Sequence, residues 1–140
     1  MNEPQAPPLL PVTDDHDTGP LFEAAARGEL VVRVCACGEV SHLPTSYCRR
    51  CGSSEGTWRP VSGRATLLSW TTVTHQLHPA FATPYTIVLV SLEKHPQVHM
   101  FGQLAGTPDL TADQPMEVWF QQLAEDVAIP QWRPAPEQRL

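Results

Sequence analysis

No stretch of this 140-residue chain is long and apolar enough to cross a bilayer as a helix, and no self-similar period runs through it. Both a helical membrane anchor and a repeat array are set aside. Positive charge is scarce. Nine lysines and arginines face fifteen aspartates and glutamates, giving a net charge of −6 and a pI near 5.4. A continuous basic track of the kind that displaces counterions from a polyanion is therefore missing. No Gly-x-Ser-x-Gly elbow offers a nucleophile. The start, Met1-Asn2-Glu3-Pro4, carries no apolar signal segment. The expectation is a soluble protein of the reducing cytoplasm, where structural disulfides are disfavoured. Long helices are disfavoured as well, by fifteen prolines, many of them near the two ends.

What the chain does have is four cysteines in two short pairs, Cys35-Ala36-Cys37-Gly38 and Cys48-Arg49-Arg50-Cys51-Gly52, with ten residues between the pairs. Two residues between thiolates let both face one ion, and the following glycine permits a tight turn. The second pair fits this knuckle fully. In the first, one residue separates the thiols, and Val34 stands where the first ligand is expected. The reading is a single zinc held by Cys35, Cys37, Cys48 and Cys51, with His42 completing the set if Cys35 points away. On spacing alone, replacing Cys35 should cost less than replacing Cys37. The alternatives are a disulfide framework, a redox pair and a ribbon that keeps its shape without metal. A redox pair belongs between a strand and a helix, whereas Arg49-Arg50 leads into Gly-Ser-Ser-Glu-Gly turn sequence.

Organisation falls into pieces. Residues 1–16, proline-rich and acidic, read as a disordered leader. Residues 17–57 carry a helix and the ribbon. The helix is Leu21 to Gly28, with Asp17 or Thr18 as cap, Pro20 in the first turn and Gly28 as the stop. Its apolar face of Leu21, Phe22 and Ala25 is too small to stand alone and should dock on a neighbour or a partner. In the ribbon, with a strand over Leu30 to Val34, metal and a few side chains should replace a core. Residues 58–134 read as strands: Ala65 to Thr74, Tyr85 to Leu92, a hairpin through Glu93-Lys94-His95-Pro96 into Gln97 to Leu104, and Met116 to Leu123. Strands of this number and length, without helical periodicity between them, fit a small closed or partly open barrel. Residues 135–140 form a tail.

The helix, the cysteine pairs, Trp58-Arg59-Pro60-Val61-Ser62-Gly63-Arg64, Ser69-Trp70-Thr71, Pro84-Tyr85, Val90-Ser91-Leu92, Met116-Glu117-Val118 and Ile129-Pro130-Gln131-Trp132-Arg133-Pro134 occur in an order and spacing that resembles domain-of-unknown-function family 35. The resemblance runs from about Leu21 to Pro134. It implies a mainly β fold: a short N-terminal helix, a rubredoxin-like zinc ribbon and a C-terminal OB-fold barrel. It also implies an accessory subunit, because members of that family associate with thiolase-superfamily enzymes, namely thiolases, polyketide-type acyltransferases and steroid side-chain aldolases. The expected function is thus a non-catalytic subunit that binds such an enzyme and helps form or stabilise its acyl-CoA site.

The residues expected to contact partner or acyl-CoA are Phe22, Arg49, Arg50, His75, His78, Phe81 and Tyr85. Aromatic anchors concentrate at interfaces, and arginines, Arg59 and Arg64 included, suit the coenzyme's phosphates. Trp132, expected after the last strand, joins the apolar set. His75 and His78 near a barrel mouth could serve as bases, but no nucleophile accompanies them, so no catalytic residue is assigned. Two other functions remain open: an OB-fold module stacking single-stranded nucleic acid on Trp70, Phe101 and Trp119, and a stand-alone acyl-CoA-binding protein or hydrolase.

Overall fold

The computed structural model describes residues 6–136. The leader's first five residues and the last four of the tail lie outside them. Residues 6–15 carry neither helix nor strand, and the first ordered device is a turn at Asp15. Its carboxylate accepts hydrogen bonds from the backbone N–H groups of Asp17 and Thr18 and from the Thr18 hydroxyl. Helix α1 (Gly19–Ala26) follows. Thr18 holds the N-cap position but makes no side-chain cap bond, so the anchoring carboxylate lies two residues upstream of the expected Asp17. The helix ends as the sequence dictates: Gly28 N–H donates to Ala25 O and Glu29 N–H to Ala24 O, the paired bonds that close a helix on a glycine.

Three strands form the ribbon sheet in the order β2-β1-β3, with β1 Val31–Cys35, β2 Val40–Ser41 and β3 Gly56–Pro60. Five more form the barrel sheet, β6-β5-β4-β7-β8, all neighbours antiparallel: β4 Arg64–Val73, β5 Tyr85–Leu92, β6 His99–Ala105, β7 Pro115–Ala124 and β8 Val127–Pro134. Alternation explains the central strand. Thr86, Val88 and Val90 point inward and are buried, while Tyr85, Ile87 and Leu89 on the other face are partly covered. A register shift between Leu67 and Ser69 turns Leu68 outward and leaves Leu67 fully buried.

The barrel is partly open, because β6 and β8 approach without a ladder. Side chains close that seam. The Gln131 amide oxygen accepts the Gln103 backbone N–H at 2.7 Å, and its nitrogen donates to Gln121 Oε1 at 2.9 Å. Glycine at 102 permits the approach: a Cβ there would lie 2.9 Å from the Trp132 backbone nitrogen.

Two expectations change. Trp132 lies within β8, not after the last strand, and is 0 % exposed, so it is core and not an interface anchor. The ribbon also does not lack a core. Leu30, Val32, Val34 and Val40 belong to the same buried cluster as Leu67, Val88, Val90, Met100, Met116 and Trp132. Apolar strand residues outnumber what a metal alone needs, and burying them against the barrel is the favourable outcome. Helix α1 packs chiefly on β8, with Leu21 and Ala24 against Val31 and Trp58. Its apolar face is thus covered within the chain, and Phe22 at its edge is left half-buried.

Candidate metal centre and exposed barrel loop

Strand β1 delivers Cys35 at its last residue, and a turn through Gly38 at φ +95° brings Cys37 back beside it. Gly38 N–H donates to Cys35 O at 2.8 Å. The second knuckle turns on Gly52 at φ +77°, whose N–H donates to Cys48 O at 2.8 Å. Glycine at both positions supplies a backbone conformation costly for other residues. The result is four sulfurs within 4.8 Å of one another. Cys35 Sγ and Cys51 Sγ are 3.5 Å apart, and Cys37 Sγ and Cys48 Sγ 3.8 Å.

These distances discriminate among the readings. All four cysteines are free, and a disulfide would hold its sulfurs at about 2.0 Å. Four thiolates at about 2.3 Å from a tetrahedral zinc stand roughly 3.8 Å apart. The donor set fits zinc. The one-residue spacing of the first pair is no defect, because a strand end and a turn place its two thiols differently from a knuckle. Cys35 points into the cluster, so His42 is not needed as a ligand and lies outside it. Nor is Cys35 the weak member: it is 9 % exposed and takes part in the shortest sulfur contact.

The local field prepares part of the set for metal. Backbone N–H groups of Cys51 and Arg50 point at the Cys48 sulfur and lower its pKa to about 6, making it a thiolate at neutral pH. At Cys35 the Cys37 amide pulls the same way, but burial and the neighbouring thiols outweigh it and push the thiol up to about 12. A cation at the centre favours the thiolate form of both.

Of the residues expected to meet partner or ligand, Arg49 and Arg50 sit in the second knuckle and both reach Glu39, at 3.6 and 3.7 Å. His75, His78 and Phe81 lie in the loop joining β4 to β5, and Tyr85 opens β5. His78, Phe81 and Tyr85 form one aromatic row, with ring centroids 6.1 and 6.2 Å apart. The loop braces itself: His78 Nδ1 accepts the Ala80 N–H, and the Gln76 amide donates to Phe81 O. His78 is thereby engaged in holding a turn, and His75 is exposed. The two groups do not meet. The ribbon joins the barrel at the start of β4 and the loop leaves from its end, ten residues on, a distance of roughly 30 Å along an extended strand.

Spacing and composition missed the exposure of the barrel's apolar residues. Leu77 is 83 % exposed, Phe101 70 %, and Trp70 and Leu68 nearly 40 %. Phe101 stands in register with Leu89 on the outer face of β5 and β6, while Trp70 pairs with the buried Val88. Alternation could have placed Phe101 outside, since its neighbours Met100 and Gly102 are the buried ones.

A four-thiolate ribbon fused through a shared core to a partly open five-stranded barrel defines a zinc-ribbon plus OB-fold protein. Residues 22–55 match the family model described as ChsH2, rubredoxin-like zinc ribbon domain, and residues 58–121 that described as ChsH2, C-terminal OB-fold domain. The chain belongs to this ChsH2-type family of DUF35 proteins. Among solved structures it is similar to a chain of the Ltp2-ChsH2(DUF35) aldolase, with a TM-score of 0.78 and 27 % identity over 89 % of this chain and 98 % of that one. A DUF35 protein of unknown function from Sulfolobus solfataricus shares the fold, with a TM-score of 0.58 at 15 % identity over 74 % of this chain and 77 % of its own. A probable enoyl-CoA hydratase alpha subunit of Thermomonospora curvata is 31 % identical over 120 residues, or 84 % of this chain. The chain spans 37 % of that relative's length.

Proposed function

We propose that this chain is a non-catalytic accessory subunit that packs on a thiolase-superfamily enzyme and helps form or stabilise its acyl-CoA site, with one zinc ion per chain fixing the ribbon. The observation that carries this reading is the likeness to nearly the whole of a chain from an aldolase whose name joins two components, Ltp2 and ChsH2. A relative named as a probable enoyl-CoA hydratase alpha subunit supports the acyl-CoA part of it. The proposal includes a cytoplasmic location, and among the described residues no helix is long and apolar enough to cross a membrane. It also keeps 17–57 and 58–134 as the functional halves.

Physically, the loop between β4 and β5 is suited to a partner. Leu77 at its tip is almost fully exposed, Phe81 and Tyr85 stand half-exposed behind it, and such rigid aromatic anchors carry interface energy. Phe81→Asp should weaken a co-purified complex by about thirtyfold or more, the equivalent of roughly 2 kcal/mol, because it would bury an unpaired charge. Phe22→Asp, at the edge of a helix already packed on β8, should weaken it less. Affinity measured on the zinc-loaded variants checks both. Equal affinity for Phe81→Asp and the unmodified chain would remove the loop from the interface.

The nucleic-acid reading gains exposed aromatics but loses the rest of what it needs. Trp70 and Phe101 lie on opposite faces by register, so they form no continuous stacking platform. Among β4, β5 and β6 the only cation is Arg64. Stacking without neutralised phosphates gives weak binding. A fluorescence titration with single-stranded DNA or RNA at physiological salt should show affinity no better than about 10⁻⁴ M, the weak end of non-specific binding. Micromolar affinity falling steeply with salt would favour the nucleic-acid module instead.

A further inference from the structure

Where β4 and β7 part, two stretches of strand lose their ladder. The pairing between them covers only residues 64–66 against 115–117, and it ends at Leu67, whose N–H donates to Gln114 O and whose O accepts the Asp113 N–H. On β7 the continuation, 118–121, is half-buried, with Val118 N–H held by Gly63 O. On β4 the continuation is open: Leu68, Ser69, Trp70, Thr71 and Thr72 are each exposed. Strand β5 pairs with 69–73 from one side, and among the described residues no backbone hydrogen bond reaches 68–73 from the other. In an antiparallel ladder every second residue directs both its N–H and its C=O to the same neighbour. Alternate residues of 68–73 therefore present both groups to solvent, along an edge of roughly 20 Å.

The outer edges of both sheets carry guards against unwanted pairing. Strand β2 is two residues long, β3 ends in Arg59-Pro60, β8 contains Pro130, Arg133 and Pro134, and β6 is closed on β8 through Gln131. The open half of β4, Leu-Ser-Trp-Thr-Thr-Val, has neither charge nor proline and is built from strand formers. The bulge between Leu67 and Ser69 lies at its foot, and from Ser69 onward the register with β5 is unbroken. Trp70 is a second sign. It pairs with the buried Val88 and so belongs to the inner face, yet it is 39 % exposed, because the strand that would cover it is missing.

What completes such an edge is another extended backbone. The chain's own leader is a poor one, since Pro4, Pro7, Pro8 and Pro11 each lack a donor. A second copy is disfavoured by the net charge of −6 that each would bring. At the foot of the edge Asp113 is exposed and makes no ion pair among the described residues, which favours an incoming segment of opposite charge. At the other end the strand runs directly into the loop assigned above to the partner. We propose that residues 68–73 of β4 take up an extended segment of the partner enzyme as an added strand, uncharged along its length and basic where it meets Asp113. The inference rests on the accessory-subunit reading and specifies how the partner is held.

The test is residue-resolved amide hydrogen exchange on the zinc-loaded full chain, free and co-purified with its thiolase-superfamily partner. In the free chain alternate amides within 68–73 should exchange fast, and those bonded to β5 slowly. In the complex the fast set should slow by about tenfold or more, in the same every-second-residue pattern, which side-chain docking alone does not produce. Ser69→Lys combined with Thr71→Lys, both on the exposed outer face, guards the edge with charge and should weaken the complex about tenfold, whereas Thr71→Val should leave it unchanged. Unchanged zinc content and Tm of the free variants check folding. A complex whose fast amides stay fast, or one that the lysine variant forms with full affinity, overturns the strand pairing and leaves the accessory-subunit reading standing. A concentration-dependent dimer of the isolated chain that protects the same amides also overturns it, making a second copy the occupant. Failure of the unmodified chain to assemble with such a partner sinks the accessory-subunit reading and this proposal with it.

Discussion

Cys48→Ser is expected to release the metal and unfold the ribbon, and to lower the stability of the barrel with it. The sulfurs sit at zinc spacing, and backbone N–H groups lower the pKa of Cys48 to about 6. Structural zinc contributes binding energy directly to folding, on the order of 10 kcal/mol in small isolated sites. Here the consequence spreads, because Val32, Val34 and Val40 of the ribbon complete the barrel's core. Loosening them exposes apolar surface on both sides. The expected result is about one zinc per unmodified chain, almost none in Cys48→Ser or Cys51→Ser, and a fall in Tm on the order of 10 °C, corresponding to a few kcal/mol. Cys35→Ser should be no milder than Cys37→Ser, since Cys35 is the buried member and Cys37 the exposed one. Metal analysis with thermal unfolding decides this. A zinc-free protein with an ordered ribbon would contradict it.

Trp132→Ala should cost about 3–5 kcal/mol, the usual penalty for emptying a fully buried aromatic site. Trp132 is 0 % exposed, and its backbone lies against Gly102 across the open seam of the barrel. Removing the indole takes away both core volume and the surface that β6 rests on. Trp132→Phe should be much milder. The indole Nε1 is buried without a hydrogen-bond partner among the described residues, and phenylalanine removes that unsatisfied donor along with some volume. Urea unfolding of the zinc-loaded variants checks the order. A loss under about 1 kcal/mol for alanine would show that the seam is held elsewhere.

Particular residues show what the sequence could and could not disclose. The second knuckle was legible because Cys-x-x-Cys-Gly is a local device, whereas the adequacy of Cys35 was not. It depends on β1 ending at that residue, and spacing carries no information about where a strand stops. Strand β5 was legible from its run of β-branched residues. Strand β8 was not recognised as a separate strand, since Pro130 and Pro134 argue against a ladder. Both are tolerated because β8 is an edge strand with an unpaired side. The shared core of ribbon and barrel escaped notice because it is made by contacts distant in the chain. The sequence presents Arg49 and Arg50 as free phosphate ligands, and only the fold shows the carboxylate of Glu39 between them. The sequence offers His42 to the metal, whereas the fold places it in the lining of a recess that includes residues 97–99.

The most direct measurement is co-expression with a thiolase-superfamily partner, followed by purification and assay of the chain alone, the partner alone and the two together on an acyl-CoA substrate. The accessory-subunit reading predicts a stable complex, no thiolase, aldolase or thioesterase turnover by the isolated chain, and higher solubility or activity of the partner in the complex. It would be contradicted by appreciable acyl-CoA turnover in the isolated chain that disappears on His75→Ala or His78→Ala, which would make the loop between β4 and β5 the active site.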